Sequence, residues 1–321
     1  MVKFSTKIRI IWVLVKKIFF LILFVFYLIG TFSISYALEC VNVKALFTIK
    51  EGLGLDQPSD LAVAPNRYIY IVDGANNRIV ATDSDGRLKF TFGKEGLGKG
   101  EFKYPLGIDI SDSGKVFIAD SGNHRIQVFD LKGNFLSMFS VRRGSNEKPS
   151  DPADILVGNI RNYLYISDND NHKIKVYKQD GTFQFEWGRF GEGEGEFRYT
   201  GILSSNKANE VFVVDVINTR VQKFDPWGKF ITDIGSWGVL PGNFFRPKGV
   251  AVDRKNRVYV TDSYMGAIQV FTDLGRFIGV ICENNKKKEF VTPVGIVIDK
   301  NDRVLAIEMR ANKITVFGVT D

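Results

Sequence analysis

An all-β chain built from one unit of about 47 residues, repeated six times, is what this sequence predicts, and three observations lead there. An acidic residue recurs at Asp73, Asp120, Asp168, Asp215, Asp262 and Glu308, at steps of 46 to 48 residues. A second ladder, Pro58, Pro105, Pro152, Thr200, Pro247 and Pro293, keeps the same step. Each unit also divides into four runs of about six β-branched or aromatic residues, separated by Gly, Asn and Asp. Four short strands at this period match the blade of a β-propeller, and no unit has room for a pair of amphipathic helices. The expected fold is a six-bladed β-propeller over residues 38–321, preceded by a hydrophobic export or anchor helix in residues 1–37.

The elements follow in chain order. Residues 1–37 hold Lys3, Lys7, Arg9, Lys16 and Lys17 and no acid, then the apolar run IFFLILFVFYLI, then Ser35-Tyr36-Ala37. This pattern predicts a signal peptide cleaved after residue 37, or a retained anchor crossing the membrane through residues 18–34. In either case the remainder is exported, to a periplasmic or other extracytoplasmic location. Setting these five basic residues aside leaves 38 of the chain's 43 against 36 acidic ones, so the body is close to neutral and no nucleic-acid partner is expected. Next, VKALFTIKEGLG (residues 43–54) resembles RLKFTFGKEGLG (residues 87–98), the tail of the first unit. The sixth unit stops at VFGVTD without a fourth strand. The N-terminal strand is therefore expected beside residues 313–317, closing the last blade and leaving no exposed edge. Cys40 precedes that strand and Cys282 ends the outer strand of the fifth unit. Placed at opposite faces, they are expected to be free thiols.

The segment PLGIDISDSGKVFIADSGNHRIQVFDLKGNFLSMF (residues 105–139) resembles the NHL repeat, whose naming motif is seen as Asn123-His124 and Asn171-His172. The resemblance extends over all six units. No Trp-Asp pair or double glycine recurs, as WD and kelch repeats would require. It implies an interaction module rather than an enzyme, and bacterial members are often held outside the cell membrane.

Residues that recur in every unit read as scaffold. The recurring acid is expected to accept backbone N–H groups from the turn that follows it. Arg125, matched by Arg78, Lys173, Arg220 and Lys313, is expected to reach a nearby acid. His124 and His172 are the only two histidines and read as solvated turn residues, and no cofactor is expected. Asp60 and Asp154 replace the glycine seen at Gly107, Gly201, Gly249 and Gly295, near the mouth of the central channel. Six-bladed lactonases and peptide-amidating lyases hold Ca²⁺ or Zn²⁺ in that region. Resemblance to them implies, as the alternative, a metal-assisted hydrolase or lyase with Asp60 and Asp154 as metal candidates.

Residues that do not recur point to one face. The loops between second and third strands share a face with the long inter-unit loops. On it, Phe190, Val216, Ile217, Trp237, Val239, Leu240, Tyr264 and Met265 gather over units 3 to 5. Exposed aromatic, aliphatic and Met side chains mark binding surfaces. The leading expectation is a non-enzymatic scaffold that binds a protein, peptide or glycan through this face.

Overall fold

The computed structural model describes residues 39–141 and 148–320. The segment expected to be an export signal or anchor, including residues 18–34, lies outside the described residues. Among the described residues, no helix is long and apolar enough to cross a membrane.

The chain is all-β. Strand β1 (Cys40–Ile49) precedes the first unit, β2 to β5 (Pro58–Val63, Ile69–Asp73, Arg78–Thr82, Leu88–Phe92). The second unit is β6 to β9 (Pro105–Ile110, Val116–Asp120, Arg125–Phe129, Phe135–Ser140). The third is β10 to β13 (Pro152–Val157, Leu164–Asp168, Lys173–Tyr177, Phe183–Trp187), and the fourth β14 to β17 (Thr200–Ser205, Val211–Asp215, Arg220–Phe224, Phe230–Ile234). Then come β18 to β21 (Pro247–Val252, Arg257–Asp262, Ala267–Thr272, Phe277–Glu283) and a short β22 (Lys286–Lys287). Strands β23 to β25 (Pro293–Ile298, Arg303–Glu308, Lys313–Val319) end the chain.

Units one to four are separate antiparallel four-stranded sheets, and the remaining strands join in one nine-stranded sheet, β18-β19-β20-β21-β1-β25-β24-β23, with β22 on β21. The first strands pack on one another in the order β2, β6, β10, β14, β18, β23, and β23 returns to β2. The result is a propeller-like ring of radially arranged sheets around a channel.

Burial within each sheet explains its residues. The second strand, such as VFIAD, is buried along its whole length because both faces meet neighbouring sheets, so it is a continuous apolar run. The outermost strand, such as LKFTF in β5, mixes exposed and half-buried positions. Core clusters bridge successive sheets: Tyr70, Val72 and Ile79 pack with Val116, Ile118 and Phe129 of the next unit. The Phe92 and Phe129 rings across that boundary are 5.0 Å apart. Gly133, at φ +81°, sits so close to Phe92 that a Cβ there would lie 2.8 Å from the ring.

Strand β1 closes the last sheet as the sequence predicts. It runs antiparallel to β25 from Val43↔Val319 to Ile49↔Ile314. The cysteines, however, are not free: Cys40 and Cys282 form a disulfide with Cα atoms 5.4 Å apart. The cause is a departure of β21 from the repeat. In the other units the third and fourth strands pair through Ile79↔Phe92, Ile174↔Trp187 and Val221↔Ile234. The β20–β21 register instead reaches only Gln269↔Val280. Ile281, the position equivalent to Phe92, leaves β20 and pairs in parallel with Val41 of β1. The expectation of opposite faces treated both outer strands as regular, and this one bends across to its neighbour.

Candidate functional site

The recurring acid does bind backbone N–H groups, but from a different place. Each carboxylate takes the N–H of the residue 17 positions earlier, in the loop entering its unit: Asp56 to Asp73, Lys103 to Asp120 and Arg198 to Asp215, at 2.7 to 3.1 Å. Asp262 alone also receives the N–H groups of the following turn, from Tyr264 and Met265. That unit has Ala267 where the others carry a cation. In units one, two and four a guanidinium completes the site, with Arg78, Arg125 and Arg220 Nε 2.7, 2.7 and 3.1 Å from Asp73, Asp120 and Asp215, and in the sixth Lys313 Nζ lies 3.0 Å from Glu308. In the third unit Lys173 turns outward to Glu186, and fully buried Lys175 pairs with Asp168 at 2.7 Å. Such buried, fully bonded carboxylates tie loop to blade.

The two histidines hold a special backbone position. His124 and His172 end their turns at φ +58° and +54°, where the other units place Asn77, Thr219, Gly266 and Asn312. Asn and His tolerate this left-handed region better than most side chains. His124 is not simply solvated, since its Nδ1 lies 2.5 Å from the Ser150 carbonyl oxygen. The His172 ring meets Phe190 edge-on at 5.0 Å.

In the channel, Asp60 and Asp154 are buried and are joined by Asp109, which the sequence reading did not single out. The register aligns Asp60 with Ile202 rather than Gly201, because Thr200 and Leu203 pair as Pro58 and Leu61 do. Each carboxylate accepts an N–H from another unit's first strand: Asp60 from Ile108 at 3.0 Å, Asp109 from Val157 at 2.7 Å and Asp154 from Leu203 at 2.7 Å. Burial pushes Asp60 up to about 7 and Asp109 to about 6, and raises Asp154 well above the usual range, with the Asp60 charge adding to its shift. A resident Ca²⁺ or Zn²⁺ needs ionised, uncommitted donors. One oxygen of each carboxyl is committed to a strand-to-strand bond, while Asp154 Oδ1 is buried without a partner. Among the described residues no group of three or more His, Cys, Asp or Glu side chains is arranged to hold an ion, and neither histidine lines the channel. The donor set does not fit such an ion.

The loops of the upper face form a second candidate site. Hydrogen bonds unite them: Asn123 and Asn218 Nδ2 donate to the Gly96 and Gly191 carbonyls, each at 2.9 Å. Three inter-unit loops share one backbone shape, with bridges Glu95↔Phe102, Phe190↔Phe197 and Trp237↔Phe244. A glycine follows the first residue of each bridge at φ +153° to +158°, a conformation that other residues rarely adopt. Only side chains distinguish them. Glu95 in the first becomes Phe190 and Trp237, the latter 73% exposed. Ile217, Val239, Leu240 and Tyr264 are likewise more than half exposed. Tyr264 stacks on Phe245 with ring centres 4.1 Å apart. Two expected members differ. Val216 is 8% exposed and packs in the core between units four and five, because it starts its turn where the chain is still against β14. Met265 is half-buried. Exposed Leu97 and Tyr104 lie outside the expected set.

Comparison with known proteins places these features. The NHL repeat model matches residues 102–129 and 244–271. The chain is 40% identical over 81 residues to human NHL repeat-containing protein 3, covering 24% of this chain and 23% of that one. It is 32% identical over 97 residues to the fly protein brain tumor, covering 30% of this chain and 9% of the relative. The chain thus spans about a quarter or less of the length of these relatives. Among solved structures, a gluconolactonase from Xanthomonas campestris matches at TM-score 0.66 and 13% identity, over 88% of this chain and 97% of its own. A streptogramin B lyase matches at TM-score 0.63 and 15% identity, over 85% and 97%. At such identities the likeness is one of fold alone. What the matches and the geometry carry together is that this chain bears NHL repeats on an all-β, propeller-like fold.

Proposed function

We propose that the chain is an exported six-bladed NHL-type propeller that binds a protein partner through its upper loops and performs no covalent chemistry. The six-blade reading is supported by the cyclic packing of six first strands and by the two four-stranded halves of the nine-stranded sheet, joined at β1 and β21. Export is supported by the Cys40–Cys282 disulfide, which suits an oxidising compartment. A peptide or a glycan is the alternative occupant of the same face. The lyase and lactonase neighbours motivate the enzymatic alternative, and the lack, among the described residues, of three or more ligating side chains grouped to hold an ion weighs against its metal.

One observation carries the proposal: Phe190, Ile217, Trp237, Val239, Leu240 and Tyr264 stand exposed on successive loops, two of them at a site that the first loop fills with Glu95. Trp and Tyr anchors typically contribute about 1–3 kcal/mol each to an interface. Retention of a discrete protein from envelope extract should fall in Trp237→Ala and Tyr264→Ala and persist in Glu95→Ala. Equal retention by all three variants would sink the proposal.

A further inference from the structure

The repeat makes a second pattern visible at the channel. The second residue of each first strand is Ser59, Leu106, Ala153, Gly201, Lys248 or Val294, and all six line one cavity of about 330 Å³ at the upper mouth. Five are small or apolar, and one is a lysine. Arg246 and Arg310 line the same cavity. Arg246 occupies the position of Gln57, Tyr104, Asp151, Tyr199 and Thr292, whereas Arg310 occupies that of Ala75, Gly122, Asp170, Ile217 and Tyr264. Three cations therefore converge from units five and six where the other units place none.

Their isolation is unusual for this protein. Lys248 is half-buried, and the protein's fully buried lysines are ion-paired: Lys175 with Asp168 at 2.7 Å, and Lys223 with Glu210 at 2.7 Å and Asp273 at 3.1 Å. Among the described residues, no carboxylate or hydrogen-bond acceptor meets the side chains of Arg246, Lys248 or Arg310. Lys248 lies over the Tyr199 ring, 5.6 Å from its centre. Burial, and behind it the Arg246 charge, pull its ammonium below the usual range. Lys248 is partly desolvated, and Arg246 and Arg310 are exposed beside it. Like charges gathered without a counterion repel one another, and a bound anion relieves that cost. Below them the wall is apolar, formed by Leu106, Ile202, Val216, Val294 and Met309.

We propose that the upper mouth of the channel binds a carboxylate that carries a compact apolar group, with Arg246, Lys248 and Arg310 holding the carboxylate and the aliphatic wall receiving the body. The volume suits a small ligand or one terminal side chain. Two sources share this chemistry: a free organic acid and the C-terminal residue of a peptide. Nucleic acid fits poorly, since three cations neutralise few phosphates and exposed Asp170 and Glu192 stand on the same face. The site uses different residues from the exposed loop surface and does not rest on it.

Calorimetric titration of the full chain tests this with 4-methylpentanoate, its amide, inorganic phosphate, acetyl-Ala-Leu with a free C-terminus, and a ten-nucleotide RNA. The acid should bind at least about tenfold more tightly than the amide. That advantage should vanish in Lys248→Met and in Arg310→Gln, survive in Lys248→Arg and in Trp237→Ala, and weaken as pH rises through the lowered Lys248 range. Tighter binding of the peptide assigns a peptide source, and tighter binding of 4-methylpentanoate assigns a free acid. Arg310→Gln lies on an exposed turn, so its result stands even if Lys248→Met folds poorly. The proposal is overturned by absence of binding, by equal affinity for acid and amide, by phosphate matching 4-methylpentanoate, by RNA binding more tightly than either acid, or by insensitivity to both substitutions.

Discussion

At the scale of single residues, the carboxyls separate into two populations by what surrounds them. Asp73, Asp120 and Asp215 are buried against guanidinium groups and N–H donors, whereas Asp60, Asp109 and Asp154 are buried against backbone and one another. The second population makes stability depend on pH. In the unfolded chain Asp60 loses its proton near its ordinary 3.8, and in the folded chain it keeps it to about 7. The folded state therefore binds more protons in that window, and its stability falls as pH rises from about 4 to about 7. Asp60→Asn retains an acceptor for the Ile108 N–H and a donor toward Asp154 while removing the titration. It should gain up to about 4 kcal/mol over the parent at pH 8 and nothing at pH 4, read from urea unfolding at each pH. Parallel pH curves for the two proteins would show that Asp60 is not the group responsible. The recurrence of the blade acids was legible in the sequence. Their donors were not, because the N–H groups come from 17 residues away and are brought there by folding.

At the scale of elements, β1 does two jobs that its sequence shows unequally. Its similarity to the tail of the first unit reveals the pairing with β25. Its first residues instead bond the neighbouring outer strand: Asn42 exchanges hydrogen bonds with Asn285 at 2.7 and 3.0 Å, beside the disulfide. Nothing local in ICENN, at residues 281–285, announces that β21 leaves its sheet. The bridge spans 242 residues, so it restricts the unfolded chain strongly. Reduction, or Cys40→Ser, should cost about 2–4 kcal/mol in urea unfolding, with little change in the folded protein's spectrum. An unchanged midpoint would mean that the strand pairings alone hold the chain end.

At the scale of the whole molecule, the ring is closed by a strand from the opposite end of the chain. Strand β1 contributes buried Val41, Val43 and Ile49 and covers the edge of β25. Deleting residues 39–49 should expose that edge together with β21 and produce concentration-dependent self-association, visible by light scattering, with earlier melting. A truncated protein as monomeric and as heat-stable as the parent would remove ring closure as a source of stability. The near-neutral body belongs to this scale too. Against it, the three cations at the channel mouth are a local concentration of charge rather than part of a basic face.

Sequence alone determined the all-β repeat, the four strands per unit, the blade acids and the origin of the closing strand. The first three are short-range patterns that recur from unit to unit, and the closing strand was legible because its sequence copies the tail of the first unit; repetition averages away local ambiguity. Tertiary structure decided what occurs once: the bend of β21 that joins Cys40 to Cys282, the burial of Val216, and the convergence of Arg246, Lys248 and Arg310. A departure in a single unit has no second copy to be compared with, and its partners are set by packing between units that lie far apart in the chain.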